Sequence, residues 1–195
     1  MRDQGRDAPQ SLALETRTGL PDALRVLVEA YPREGWAAHP HFAGLVAFWL
    51  ERHMMFRRLL THLRQEGEAR LDGTLAPERY AAGLSRYGGL LVQELHGHHQ
   101  IEDAHYFPVL AQKDRAIGHG FDLLDADHHA LEGDLAAFAD AANTALRTPR
   151  AEARDAAGVC HGAALRLERL LDRHLADEED LIVPVILKHG TAGLI

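Results

Sequence analysis

The sequence predicts an all-α protein, an up-down-up-down four-helix bundle preceded by an N-terminal helical arm. Three observations carry that expectation. Val, Ile and Thr are sparse and no segment alternates with period two, while Ala, Leu, Glu and Arg, which favour helix, dominate. Apolar residues recur at steps of four and three, the spacing of a core-facing helical seam. Turn-forming residues divide the chain at Asp72-Gly73 and Pro77, at Gly118 and Gly120, and at Thr148-Pro149. These breaks predict helices over 41–66, 77–112, 120–147 and 150–188, and the short connections make neighbours antiparallel.

Residues 1–40 are expected to form an arm packed on the bundle, which occupies 41–190. After the polar start MRDQGRDAPQ, Pro21 can open a short helix to about Tyr31, and PREGWAAHPH reads as an irregular connection. The first long helix carries the seam Phe42, Val46, Trp49, His53, Phe56, Leu60 and Leu63. The third repeats it as Phe121, Leu124, His128, Leu131, Leu135, Phe138 and Ala142, with His128 falling 75 residues after His53. The second and fourth match at an offset of 76, with Leu91 on Leu167, Leu95 on Leu171, His98 on His174, Glu102 on Glu178 and Pro108 on Pro184. The chain reads as two copies of one helical hairpin related by quasi-two-fold symmetry.

A length of 195 residues with 46% hydrophobic side chains suits one domain with its own core. The net charge of -8 makes an acidic surface that repels phosphate backbones and anionic lipid, so neither nucleic acid nor membrane is an expected partner. Cys160 alone cannot make an intrachain disulfide or a Cys-rich metal site; it aligns with Leu84 and reads as a small buried hydrophobe. The N-terminus lacks the apolar stretch of a signal peptide. The longest apolar run, 42–50, is far below the ~20 residues that span a bilayer, so a cytoplasmic location is expected.

The chemistry lies in the histidines, 14 against 21 Lys plus Arg. A His and a Glu four residues apart share one helix face, about 5–6 Å apart at Cβ, so both can reach one metal centre. His98/Glu102 and His174/Glu178 have this spacing, and each pair interrupts an apolar face where an unpaired charge is costly. His53 and His128 hold seam positions where Leu or Phe is usual. Four imidazoles and two carboxylates suit two first-row transition metals, with the glutamates available to bridge; iron, manganese and zinc all accept this donor set. Pro108 and Pro184 are expected to kink or end their helices about one turn beyond the site.

Other residues are read as secondary. His105 has no counterpart in the repeat, where Leu181 stands, and lies two turns after His98; a seventh ligand, an outer hydrogen-bond donor and a satisfied core histidine remain open. Glu132 and Glu179 read as solvated helix edges, with a carboxylate behind a ligand, or in place of one, as the alternative. Asp103, Asp127 and Tyr106 are expected to orient neighbours. His96, His99 and His129 are offset from the ligand face, and His39, His41, His62, His119, His161 and His189 read as surface or loop residues.

The strings HHQIEDAHYFP (98–108), DHHAL (127–131) and HLADEEDLIVP (174–184), with His53 upstream, resemble the HHE cation-binding or haemerythrin-like family through residues 42–187. The resemblance implies a non-haem di-iron centre with bridging carboxylates and small diatomic or peroxidic ligands. Two departures separate the chain from oxygen-carrying haemerythrins: Glu132 stands where they have a second histidine, and Glu179 where they have an aspartate. The four-His, two-Glu set is more similar to iron-sulfur-cluster repair proteins, although the Cys-bearing N-terminal module often joined to those has no counterpart here. Two readings follow: a di-iron protein that binds, senses or turns over O2, NO or peroxide, and a non-catalytic iron-binding or iron- or oxygen-sensing module. A metal-free helical interaction protein is the third.

Overall fold

The computed structural model describes residues 12–42, 44–149 and 152–194. The first eleven residues of the expected arm, and residues 150 and 151 at the expected start of the fourth helix, lie outside these. Among the described residues there is no strand. The arm contains a 3-10 turn at Asp22–Leu24, helix α1 (Val26–Ala30) and a 3-10 segment at Arg33–Ala38. The bundle comprises α2 (Leu45–Leu71), then α3 (Pro77–Gly83), α4 (Gly89–Ile101) and α5 (Phe107–Lys113), then α6 (His119–Arg147) and α7 (Ala153–His189). Two π-helical turns, Leu84–Gly88 and Glu102–Tyr106, join α3, α4 and α5 into the expected second helix. Pro77 opens this run at a position where its missing N–H costs nothing, and Gly190, with φ of 73°, closes α7 in a conformation that L side chains rarely adopt.

Around the bundle, α7 packs against α6 and α2, and α4 packs against the other sides of α2 and α6. The helices of each repeat pair therefore face one another diagonally, and their seams converge. Two apolar clusters fill the interior. One holds Phe56, Leu60, Leu91, Leu95, Leu131, Phe138, Leu167 and Leu171; the other holds Val46, Trp49, Phe107, Leu110, Phe121, Leu124, Leu181 and Ile186. Burying each such large side chain contributes roughly 1.5–3 kcal/mol. His53 sits between Trp49 and Phe56, and His128 between Leu124 and Leu131, so the predicted ligands form a polar layer between two dry ones.

The prolines do not end their helices. α7 runs through Pro184 to His189, and Pro108 lies in the first turn of α5, directly after the second π turn. That turn also corrects the expected position of His105. A π turn adds one residue, which rotates everything downstream by roughly 100°. His105 is exposed, whereas Leu181 on the uninterrupted α7 is fully buried.

The arm lies along α7, with α1 against it and Leu20, Leu24, Leu27 and Trp36 entering the second apolar cluster. With α2, α6 and the arm around it, α7 buries every residue from Leu181 to Leu187. No described helix is long and apolar enough to cross a membrane.

Candidate metal centre

All six residues singled out by spacing meet in the polar layer. The Nε2 atoms of His53 and His98 are 3.2 Å apart, and those of His128 and His174 are 3.1 Å apart. Two imidazole nitrogens bound at about 2.1 Å on adjacent corners of an octahedron lie about 3.0 Å apart, so each pair has the separation that a shared ion would require. The glutamates span the pairs. Glu102 places Oε1 3.0 Å from His98 Nε2 and Oε2 3.6 Å from His128 Nε2. Glu178 Oε2 lies 3.4 Å from His53 Nε2 and 3.5 Å from His174 Nε2.

The opposite edges of three rings meet carboxylates. His53 Nδ1 is 3.0 Å from Glu179 Oε1, His128 Nδ1 is 2.7 Å from Asp103 Oδ1, and His174 Nδ1 is 3.3 Å from Asp127 Oδ2. A carboxylate at Nδ1 holds the proton there and turns the Nε2 lone pair inward, the usual arrangement behind a metal-ligating histidine. Asp103 and Asp127 each serve a histidine on a neighbouring helix, Asp127 passing over His128 beside it in sequence.

A sequence model of the Hemerythrin HHE cation binding domain matches residues 44–193. The chain belongs to this family. No match was found among curated proteins or among solved structures. As a haemerythrin family member the chain carries a metal-binding domain, and its clustered His and Glu residues fit that role.

The fit can be tested on the atoms themselves. Glu102 is fully buried and Glu178 nearly so, yet Glu102 Oε2 and both carboxylate oxygens of Glu178 have no hydrogen-bond partner among the described residues. Trp49 Nε1 donates to Glu102 Oε1 at 2.5 Å, which satisfies one oxygen of four. Burial and the neighbouring Glu178 carboxylate push the Glu102 pKa well above its ordinary range, because two unpaired negative charges cannot share a dry layer. Cations between the carboxylates remove both penalties. Burial and the neighbouring imidazoles also push His98 and His99 well below the ordinary imidazole range, which favours neutral rings.

His99 is the residue that sequence spacing missed. It is 7% exposed, and its Nε2 has no partner. Ligand atoms of His99, His128 and His174 lie within 4.8 Å of one another, as do those of His53, His98, Glu102 and Glu178. The reason is α4's place at a corner of this haemerythrin bundle. Its buried arc faces both α2 and α6, so consecutive residues, about 100° apart, can each meet a neighbour. His98 turns to His53 and His99 to His128. The HH doublet was the available signal.

Glu179 is likewise buried rather than solvated, because the arm covers it: Arg33 Nη1 donates to its Oε2 and Arg57 Nη1 to its Oε1, each at 2.8 Å. Burial opposes its ionisation, but the hydrogen bonds from His53 and Arg57 bring its pKa down to about 2. A second arm residue, Arg17, donates from Nε to Asp177 and from both terminal nitrogens to Asp127. The arm thus reaches the carboxylates behind His53 and His174. Glu132, His96 and His129 are exposed, as expected.

Proposed function

We propose that this haemerythrin domain holds two iron ions, one between His53 and His98 and one between His128 and His174, with Glu102 and Glu178 bridging. Its ligand or substrate is O2, NO or peroxide, which it binds, senses or turns over. The observation that carries this reading is the pair of facing imidazole couples spanned by two buried carboxylates with three unpartnered oxygens.

Iron in such a site supplies reversible redox chemistry and Lewis acidity. The chain's own residues do the rest. Glu102 and Glu178 balance the ions' charge, and Asp103, Asp127 and Glu179 fix three rings by their Nδ1 edges. The apolar layers exclude bulk water and strengthen electrostatic interactions within the site. A cleft of about 520 Å³ lined by Leu45, Phe48, Trp49 and Ile101 reaches His98, an apolar approach suited to small neutral molecules.

Anaerobic purification and elemental analysis, followed by optical spectra with O2, NO and peroxide, test the reading. Two irons per chain and new charge-transfer bands are expected, with His128→Ala losing both while staying helical. A chain that takes up no more than trace metal, or a di-iron form inert to all three, would overturn it.

The non-catalytic reading has one observation in its favour. Arg17 and Arg33 tie the arm to carboxylates that contact His174 and His53, so ion occupancy and arm position are physically linked. Catalytic turnover of peroxide or NO separates the two.

A further inference from the structure

The unpartnered nitrogen of His99 points to more than a four-histidine site. We propose that His99 is a fifth, exchangeable imidazole ligand of the centre, serving the ion between His128 and His174, and that small anions such as azide reach that ion by displacing it. This rests on the two-ion reading above.

Placement comes first. His99 Nε2 is buried without a partner, and its ring lies with those of His128 and His174 inside the 4.8 Å cluster. A buried imidazole nitrogen facing two others is a poor arrangement for neutral rings alone and a good one around a cation.

Exchangeability follows from what holds each ring. Carboxylates stand behind His53, His128 and His174, but among the described residues no hydrogen bond fixes His99. Its ring instead lies parallel to that of His128, at 12° with centroids 3.9 Å apart. The lone pairs of stacked rings lie in parallel planes, so an ion in the plane of the His128 ring lies out of the plane of the His99 ring, and His99 must tilt out of the stack to bind it. A ligand that gives up stacking to bind, with nothing bracing its far side, is the one that leaves first.

The route of entry lies on the same side. A pocket of about 170 Å³ has His99 and His128 in its wall, together with Gln100, the exposed His96 and His129, and two carboxylates, Asp103, which is held by His128, and the exposed Glu132. An anion entering there meets His99 before the other proposed ligands except His128. The mostly apolar cleft on the other flank of α4 has His98 in its wall, and its charged groups, Arg52 and Glu94, pair with each other, so it suits neutral molecules instead.

The test uses the full chain, titrated anaerobically with Fe(II) against a competing chelator and then, once oxidised, with azide. His99→Ala removes ring and nitrogen, whereas His99→Phe keeps a ring to lie on His128 without a ligand atom. His119→Ala, exposed at the start of α6 and outside the pocket beside His99, is the control. Both His99 variants should bind the second ion at least about tenfold more weakly, the lower range for losing even an outer partner of a ligand. Both should also bind azide several-fold more tightly, with helical content unchanged and the control unaffected. Parent-like second-ion and azide affinities in His99→Phe would assign His99 a stacking role and overturn the inference alone. Uptake of a single ion by the unsubstituted chain would overturn the two-ion reading and this inference with it.

Discussion

Replacing Arg17 with Met should destabilise the protein far more than the loss of a surface contact. The Arg17 side chain is 2% exposed, and those of its partners Asp127 and Asp177 are 3% and 0% exposed. It donates to Asp177 Oδ2 at 2.7 Å, to Asp127 Oδ1 at 2.8 Å and to the Leu12 carbonyl at 2.9 Å, besides a further bond to Asp127. Met fills similar space without charge, so the variant isolates the electrostatic loss. Removing one partner of a buried pair costs about 3–5 kcal/mol, because the other charge stays buried and uncompensated. Asp177 keeps Arg173, whose Nη2 lies 2.5 Å from its Oδ1, and Asp127 keeps the His174 Nδ1 contact at 3.3 Å, so the lower end applies. About 3 kcal/mol in a chain of 195 residues lowers Tm by roughly 6–12 °C. The assay is thermal unfolding of chelator-treated protein, with coincident probes to establish a two-state transition. Arg166→Met, which breaks a bridge from a half-exposed arginine to Asp134, is the comparison and should change Tm little, because solvent screens such a pair. A Tm loss for Arg17→Met no larger than for Arg166→Met would refute the claim that the arm is locked through a buried charge pair.

Three further outcomes are expected. Trp49→Phe removes the indole hydrogen bond to Glu102 and should weaken metal binding by roughly 10–100-fold, measured by chelator competition, with little change in helical content. Phe138→Ala, fully buried in the apolar cluster and itself without a ring contact to the site histidines, should cost about 3–5 kcal/mol in chemical denaturation yet leave metal stoichiometry unchanged. The Lys188 hydrogen bond, outweighing partial burial and aided by His189, holds the Asp114 carboxyl below its ordinary value. A depressed folded-state pKa adds stability above about pH 4 that is lost as pH falls through the folded value, so Asp114→Asn should lower Tm near neutrality and flatten its fall below about pH 4.

The parts of this molecule that were legible in the sequence are those governed by period and repetition. The spacing of His98 to Glu102 and of His174 to Glu178 fixes a shared helix face whatever the helices pack against, and the offset copies identify the diagonal partners. What escaped depends on neighbours that period cannot see. His99 is one residue off the seam, but α4 stands at a corner where two adjoining faces are both buried. Glu179 lies on an edge that would be wet in a bare bundle, and is dry because Arg33 and the arm lie over it. His105 fell out of register through a π turn that no residue in 102–106 announces on its own.

The two copies of the hairpin make the centre quasi-symmetric, but the surroundings do not obey the symmetry. His128 and His174 each have a carboxylate behind Nδ1, whereas in the other couple Glu179 serves His53 and no carboxylate hydrogen bond reaches His98 at that edge among the described residues. The second π turn occurs after Glu102 and has no counterpart after Glu178, so only one copy is unwound beside its glutamate. His99 adds an imidazole to one couple, and the apolar cleft opens on the other. Two ions in nearly matching ligand pairs would therefore differ in basicity of their ligands and in which molecules reach them. A neutral molecule and an anion can approach from the two flanks of α4, and this inequality, rather than the six residues that the copies share, is what sets this chain's site apart from a symmetric metal pair.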